Sequence, residues 1–87
     1  MLIGKVTGYV VSTRKSDKLV GNKFMIIEPI PSMKIDHSIV AVDKIGAGIG
    51  ELVLIATGSA ARIGTGDETA PVDAAIVGIV DAGQTLE

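Results

Sequence analysis

Nearly every apolar run in this chain is short, and glycine or proline stops it. "KFMIIE" runs into Pro29 and Pro31, and "ELVLIAT" is enclosed by Gly50 and Gly58. β-branched residues dominate these runs, and none carries a long helical period. Each therefore reads as a strand. Five are expected, at residues 2–13, 23–28, 38–43, 51–57 and 74–81. Gly4 and Gly8 fall four residues apart on one face of the first strand, where they mark bends of the kind barrel corners need. Residues 14–22 form a polar turn or loop, "PIPSMKIDH" is a loop, and "KIGAGIG" does not suit regular structure. "SAARI", residues 59–63, fits one helical turn with Ser59 as its candidate N-cap. "GTGDETAP" is small and polar, and the tail "AGQTLE" is short. Five short strands in 87 residues predict an all-β fold, a small closed or partly closed barrel with one short helical turn. No repeat or linker divides the chain, so residues 1–87 are expected to form a single domain.

A domain of this size hides only about two-thirds of its unfolded surface. Yet 47% of its residues are hydrophobic and its mean hydropathy is +0.50. That surplus predicts a homo-oligomer that buries apolar surface between subunits. The formal charge of -2 and the pI near 5.2 give no broad attraction to nucleic acid or anionic lipid. Tyr9 and Phe24 are the only aromatic residues, too few to stack successive bases as single-strand-binding barrels do. The absence of cysteine rules out disulfide and thiolate chemistry and suits a reducing cytosol. No signal peptide is expected, because "MLIGKVTGYVVSTRK" lacks a basic region ahead of its apolar residues and a cleavage site. No stretch approaches the roughly 18 apolar residues of a spanning helix.

The glycine-rich stretch "DKIGAGIGELVLIATGSAARIG" is the strongest candidate site. "GAGIG" is not the G-x-G-x-x-G of dinucleotide folds, and a strand rather than a helix follows it. The Gly-Lys-Ser/Thr of a P-loop is missing too. Glycines also permit positive φ and close backbone approach. Gly46, Ala47, Gly48, Gly50 and Glu51 are therefore read as a structural loop facing a neighbouring subunit. His37, the single histidine, lies in a polar loop without clustered ligands and reads as solvated. Asp43, Glu51, Asp73 and Asp81 sit at strand edges, where acidic residues cap turns or pair with cations such as Arg62. No nucleophile, base and orienting group come together, so no catalytic, cofactor or metal site is expected.

Three segments in order, "GKVTGYVVSTRKSDKLVGNKFMIIEPI", "VAVDKIGAGIGELVLIATGSAAR" and "PVDAAIVGIVD", resemble the EutN/CcmL-type vertex proteins of bacterial microcompartments. The most specific matches are Ala41-Val42-Asp43 followed by Gly46-Ala47-Gly48-x-Gly50-Glu51, then Gly58-Ser59-x-Ala61-Arg62, then residues 72–81. Ala60 departs from the second small polar residue often found there. The resemblance covers residues 1–81. It implies a five-stranded barrel similar to the OB fold, assembled as a pentamer. It also implies a role: closing the vertices of a polyhedral shell of hexameric tiles in the bacterial cytoplasm. In such a ring the compact "GSAAR" is expected to place Ser59, Ala60 and Arg62 near the axis, because small side chains let several copies approach one line. The type of compartment stays open between carboxysome, ethanolamine, propanediol and glycyl-radical kinds. The competing readings are an OB-fold nucleic-acid-binding protein and a small oligomeric enzyme with an interface site.

Overall fold

The computed structural model describes residues 1–11, 23–65 and 72–81. Five strands form: β1 (Leu2–Val10), β2 (Lys23–Pro29), β3 (Ile39–Asp43), β4 (Leu52–Thr57) and β5 (Ala74–Val80). One helix, α1 (Ser59–Gly64), lies between β4 and β5. The five expected strands all appear. β3, β4 and β5 each lack one expected end residue (Ser38, Glu51 and Asp81), β2 extends one residue into Pro29, and β1 ends at Val10, so Val11 is not part of the strand. The expected end of the first strand at residues 12–13, the loop 14–22, most of "GTGDETAP" and the tail lie outside the described residues. "PIPSMKIDH" is not wholly irregular: Pro31–Met33 make a 3-10 turn that closes on Lys34 at φ 58°.

The strands close in the order β1-β2-β3-β5-β4, and β4 returns to β1. All neighbours are antiparallel except β3 and β5. A parallel pair needs a crossover, and here the loop after β3, β4 and α1 supply it. That parallel seam is short, with only Val42↔Ala75 and Asp43↔Ile76 in register.

Alternation along the strands fills the barrel. Met25, Ile27 and Pro29 of β2 are buried while Glu28 is exposed. With Val6, Ala41, Ala47, Val53, Ile55, Ala74 and Ile76, Met25 and Ile27 make the interior. Ile27, Ile55, Val6 and Val53 are its largest fully buried side chains, each worth about 1.5–3 kcal/mol of burial. A second cluster lies on the outside of the seam. There Ala61 of α1 packs with Val42, Val72 and Ala75, and Phe24 flanks them.

Gly4 is where two strands come too close for a side chain. A Cβ there would lie 2.5 Å from Ile27 Cγ2 and 2.9 Å from the Glu28 carbonyl oxygen. Gly8 does not share its face, contrary to the simple period-two expectation. The register of β1 on β2 slips between Val6 and Gly8, so Gly4 pairs with buried Pro29 while Gly8 pairs with Ile26. Ile26 and Pro29 point to opposite sides of β2. The extra residue, Thr7, is a β-bulge, and a bulge reverses the faces beyond it.

Candidate subunit interface

The glycine loop is organised by one buried carboxylate. Asp43, at the end of β3, is 3% exposed. Its Oδ1 accepts the backbone N–H of Ile45 at 2.8 Å and of Gly46 at 3.0 Å, and its Oδ2 accepts that of Ala47 at 2.8 Å. The far side of the loop is fastened separately. Gly50 N–H donates to the Val6 carbonyl at 2.8 Å, and Val6 N–H donates to that of Glu51 at 2.9 Å. These two bonds continue the β1–β4 ladder past Lys5↔Leu52. Glu51 Oε1 accepts the Gly48 N–H at 2.6 Å, and Glu51 N–H donates to the Gly48 carbonyl at 3.1 Å.

These bonds decide between a phosphate cradle and a structural loop. A cradle needs backbone N–H groups free to meet an anion. Here the N–H groups of Ile45, Gly46 and Ala47 already converge on the chain's own anion, Asp43. Those of Gly48, Gly50 and Glu51 are bonded as well. Gly46 and Gly50 both have φ of 94°, a region open to glycine and strained for other residues. Gly48 lies outside the positive-φ set, so its need is different: a Cβ there would come within 3.3 Å of Glu51 Oε1.

The clamped backbone turns Ala47 into the core and leaves two isoleucines outside. Ala47 is buried, while Ile45 and Ile49 are 47% and 61% exposed. Glu51, expected to bond a neighbouring subunit, has one oxygen engaged within its own loop.

α1 starts at the other end of β4. Its N-cap is Gly58 at φ 65°, with no side-chain cap, so Ser59 is the first helical residue and not the cap. Ser59 and Ala60 are exposed, Ala61 is fully buried, and Ile63 is 69% exposed. Arg62 is half-buried, and its Nη1 donates to the Val72 carbonyl at 3.5 Å. Among the described residues it forms no ion pair, so the expected pairing with Asp73 or Glu51 is not seen. The helix ends beside the glycine loop, where Lys44 Nζ donates to the Thr65 carbonyl at 2.8 Å. Loop and helix are thus tied at one end of the barrel. Sequence reasoning passed over Lys44, Ile45, Ile49 and Ile63. An isoleucine between glycines was the available signal.

The remaining polar candidates stay apart. His37 is exposed, and among the described residues its ion-pair partner is Asp36, at 3.5 Å. Among the described residues, no three His, Cys, Asp or Glu side chains gather as a metal site, and no helix is long and apolar enough to cross a membrane.

Known proteins share this sequence and this barrel. Residues 1–81 match the family described as ethanolamine utilisation protein EutN/carboxysome. The bacterial microcompartment shell vertex protein GrpN of Rhodospirillum rubrum (strain F11) is 46% identical over 88 residues, which cover 99% of this chain and 99% of GrpN. The carboxysome shell vertex protein CcmL of Gloeobacter violaceus is 43% identical over 88 residues, covering 93% of this chain and 83% of CcmL. Among solved structures, the GrpN pentameric microcompartment shell protein from Rhodospirillum rubrum superposes with a TM-score of 0.83 at 41% identity, over 99% of this chain and 100% of that one. Sequence and barrel agree over nearly the whole length, and the chain belongs to the EutN/CcmL family.

Proposed function

We propose that this chain is a structural protein that forms a cyclic homopentamer and caps the vertices of a polyhedral microcompartment shell in the bacterial cytoplasm. The observation that carries it is the superposition on a pentameric microcompartment shell protein over 99% of the chain. Geometry gives the role its logic. Hexagonal tiles alone make a flat sheet, and five-fold units let the sheet close. The partners are therefore four further copies of the chain and the hexameric shell proteins around them, with no nucleic acid and no cofactor. The role is geometric and not catalytic.

The glycine loop, Gly46, Ala47, Gly48, Gly50 and Glu51, belongs in this reading to the contact between subunits. Its support is a rigid backbone that presents Ile45 and Ile49 to solvent. Ser59, Ala60 and Arg62 belong near the five-fold axis. Small exposed side chains at the start of α1 let several copies approach one line, and Arg62 lends each copy a cation there.

Native mass spectrometry of the purified protein tests the ring and should show five subunits. A stable monomer at micromolar concentration overturns the assembly. In cells, removal of the gene should give elongated or leaky compartments whose enzymes keep their turnover once released. Sealed polyhedra in a strain with no second vertex protein would overturn the capping role.

A further inference from the structure

A ring of identical subunits closes through two unlike patches, because each subunit meets its neighbours head to tail. The glycine loop is one projecting patch. A hollow lies at the opposite end of the same strands, lined by Ser38, Val40, Thr57, Gly58 and Asp73 among others. Its origin is the short parallel seam. β3 pairs with β2 through all five residues, from Ile39 to Asp43, but with β5 only through Val42 and Asp43. The first three residues of β3 therefore have no β5 partner, and the hollow lies over that gap. β3 runs from the hollow to the loop, and β4 runs back from the loop to the hollow. At about 3.3 Å per residue, the two patches stand roughly 13–17 Å apart.

We infer that the isoleucine-bearing loop of one subunit, centred on Ile49, seats in the hollow beside Val40 of the next subunit around the ring. This rests on the ring proposed above and names the partner surface for its loop. Shape and polarity match. Ile45 and Ile49 project, while Val40, 51% exposed, and Ala74 give the hollow an apolar floor. Charge matches too. Lys23 and Lys44 flank Ile45 on the loop side, and Glu51 there is held by Gly48. Asp73 and His37 line the hollow, and exposed Asp36 lies beside His37. α1 runs from Gly58 at the hollow to Thr65 at the loop. It thus occupies the surface between the two patches, which suits an element near the axis.

The chain has no cysteine, so paired cysteines report the contact cleanly. An Ile49→Cys/Val40→Cys double variant treated with a short bismaleimide should give a covalent ladder that ends at five chains on a denaturing gel. Each single variant should stay monomeric on that gel. Untreated double variant is weighed in parallel by native mass spectrometry. A five-subunit ring that does not cross-link overturns this inference and leaves the ring intact, whereas a stable monomer of the parent protein, weighed alongside, overturns both. Efficient dimer formation by Ile49→Cys alone also overturns it, because the loop would then meet its own copy. Independently, Ile49→Asp and Val40→Asp should each raise the concentration at which the ring dissociates at least tenfold. A change under twofold for both overturns the placement.

Discussion

Replacing Asp43 tests whether one carboxylate holds the glycine loop. Asp43→Ala removes both acceptor oxygens from three N–H groups at 2.8, 3.0 and 2.8 Å. Hydrogen bonds to a charged group contribute about 1.5–3 kcal/mol each, but a simple total overshoots because neighbouring effects are not additive. The Ala47 N–H lies in a buried contact and loses its partner outright, at about 1–3 kcal/mol. Those of Ile45 and Gly46 are partly accessible and recover part of their loss from water. The expected cost is about 4 kcal/mol. A domain of this length holds roughly 4–13 kcal/mol in total, so the alanine variant stands near the edge of folding. Asp43→Asn is the sharper probe because it keeps the shape. Whichever way the amide turns, its NH2 faces at least one backbone N–H, donor against donor, at a cost of about 1–3 kcal/mol. Urea denaturation at matched protomer concentrations separates this effect from mass action on the ring. Hydrogen exchange at Ala47 should accelerate in step. An Asp43→Asn protein within about 0.5 kcal/mol of the parent would refute the clamp, since that is the scatter of ordinary surface substitutions.

Three further substitutions separate space from backbone conformation. Gly4→Ala drives a Cβ against Ile27 and the Glu28 carbonyl; overpacking of this kind costs about 1–3 kcal/mol, seen as a lower urea midpoint. Gly50→Ala meets no atom within 4 Å, so its cost is only that of φ at 94°, about 1–2 kcal/mol. Gly4→Ala should therefore cost at least as much as Gly50→Ala, because it meets a side-chain methyl and a backbone carbonyl that cannot move aside cheaply; a smaller loss at position 4 than at position 50 would refute the contact argument. Gly48→Val crowds Glu51 Oε1 and should weaken assembly more than it lowers monomer stability. Unchanged ring mass and thermal midpoint would exclude Gly48 from the interface.

The strands were legible because their signal is local. β-branched runs ended by glycine or proline located β2, β3, β4 and β5 to within a residue or so at each described end. The helical turn at residues 59–63 was legible for the same reason. What failed depends on partners distant in the chain. Gly4 and Gly8 seemed to share a face because the bulge at Thr7 shows only once β1 meets β2. Ser59 looked like a cap, yet Gly58 takes that position through a backbone bond from its N–H to the Asp73 carbonyl at 2.9 Å. The hollow beside β3 could not be foreseen, since it arises where β5 leaves the first three residues of β3 without a partner. Asp43 did carry a local signal: an aspartate ahead of a glycine turn often bonds the backbone just beyond itself. The number of subunits came from the family resemblance and not from composition.

The glycines, the apolar surplus and the ring have one physical explanation. A five-stranded barrel is narrow, and side chains fill its interior. This one is filled by valine, isoleucine, alanine and methionine, with no aromatic ring among its buried residues. The remaining large apolar side chains have no room inside. Val40, Ile45, Ile49 and Ile63 are among the large apolar side chains that stand exposed, and nothing among the described residues covers them. In the proposed ring a neighbouring copy covers them only if they are presented at a fixed angle, and a floppy loop would lose that angle to conformational entropy. Asp43, Glu51 and the bonds to Val6 remove that freedom, while Gly46 and Gly50 permit the sharp backbone path that makes those bonds reachable. The same N–H groups that would attract a phosphate in another protein are thus used up in holding Ile45 and Ile49 in place. The N–H groups of Ile45, Gly46, Ala47, Gly48, Gly50 and Glu51 are bonded within the chain, and a loop held in this way is what an assembly of fixed subunit number requires.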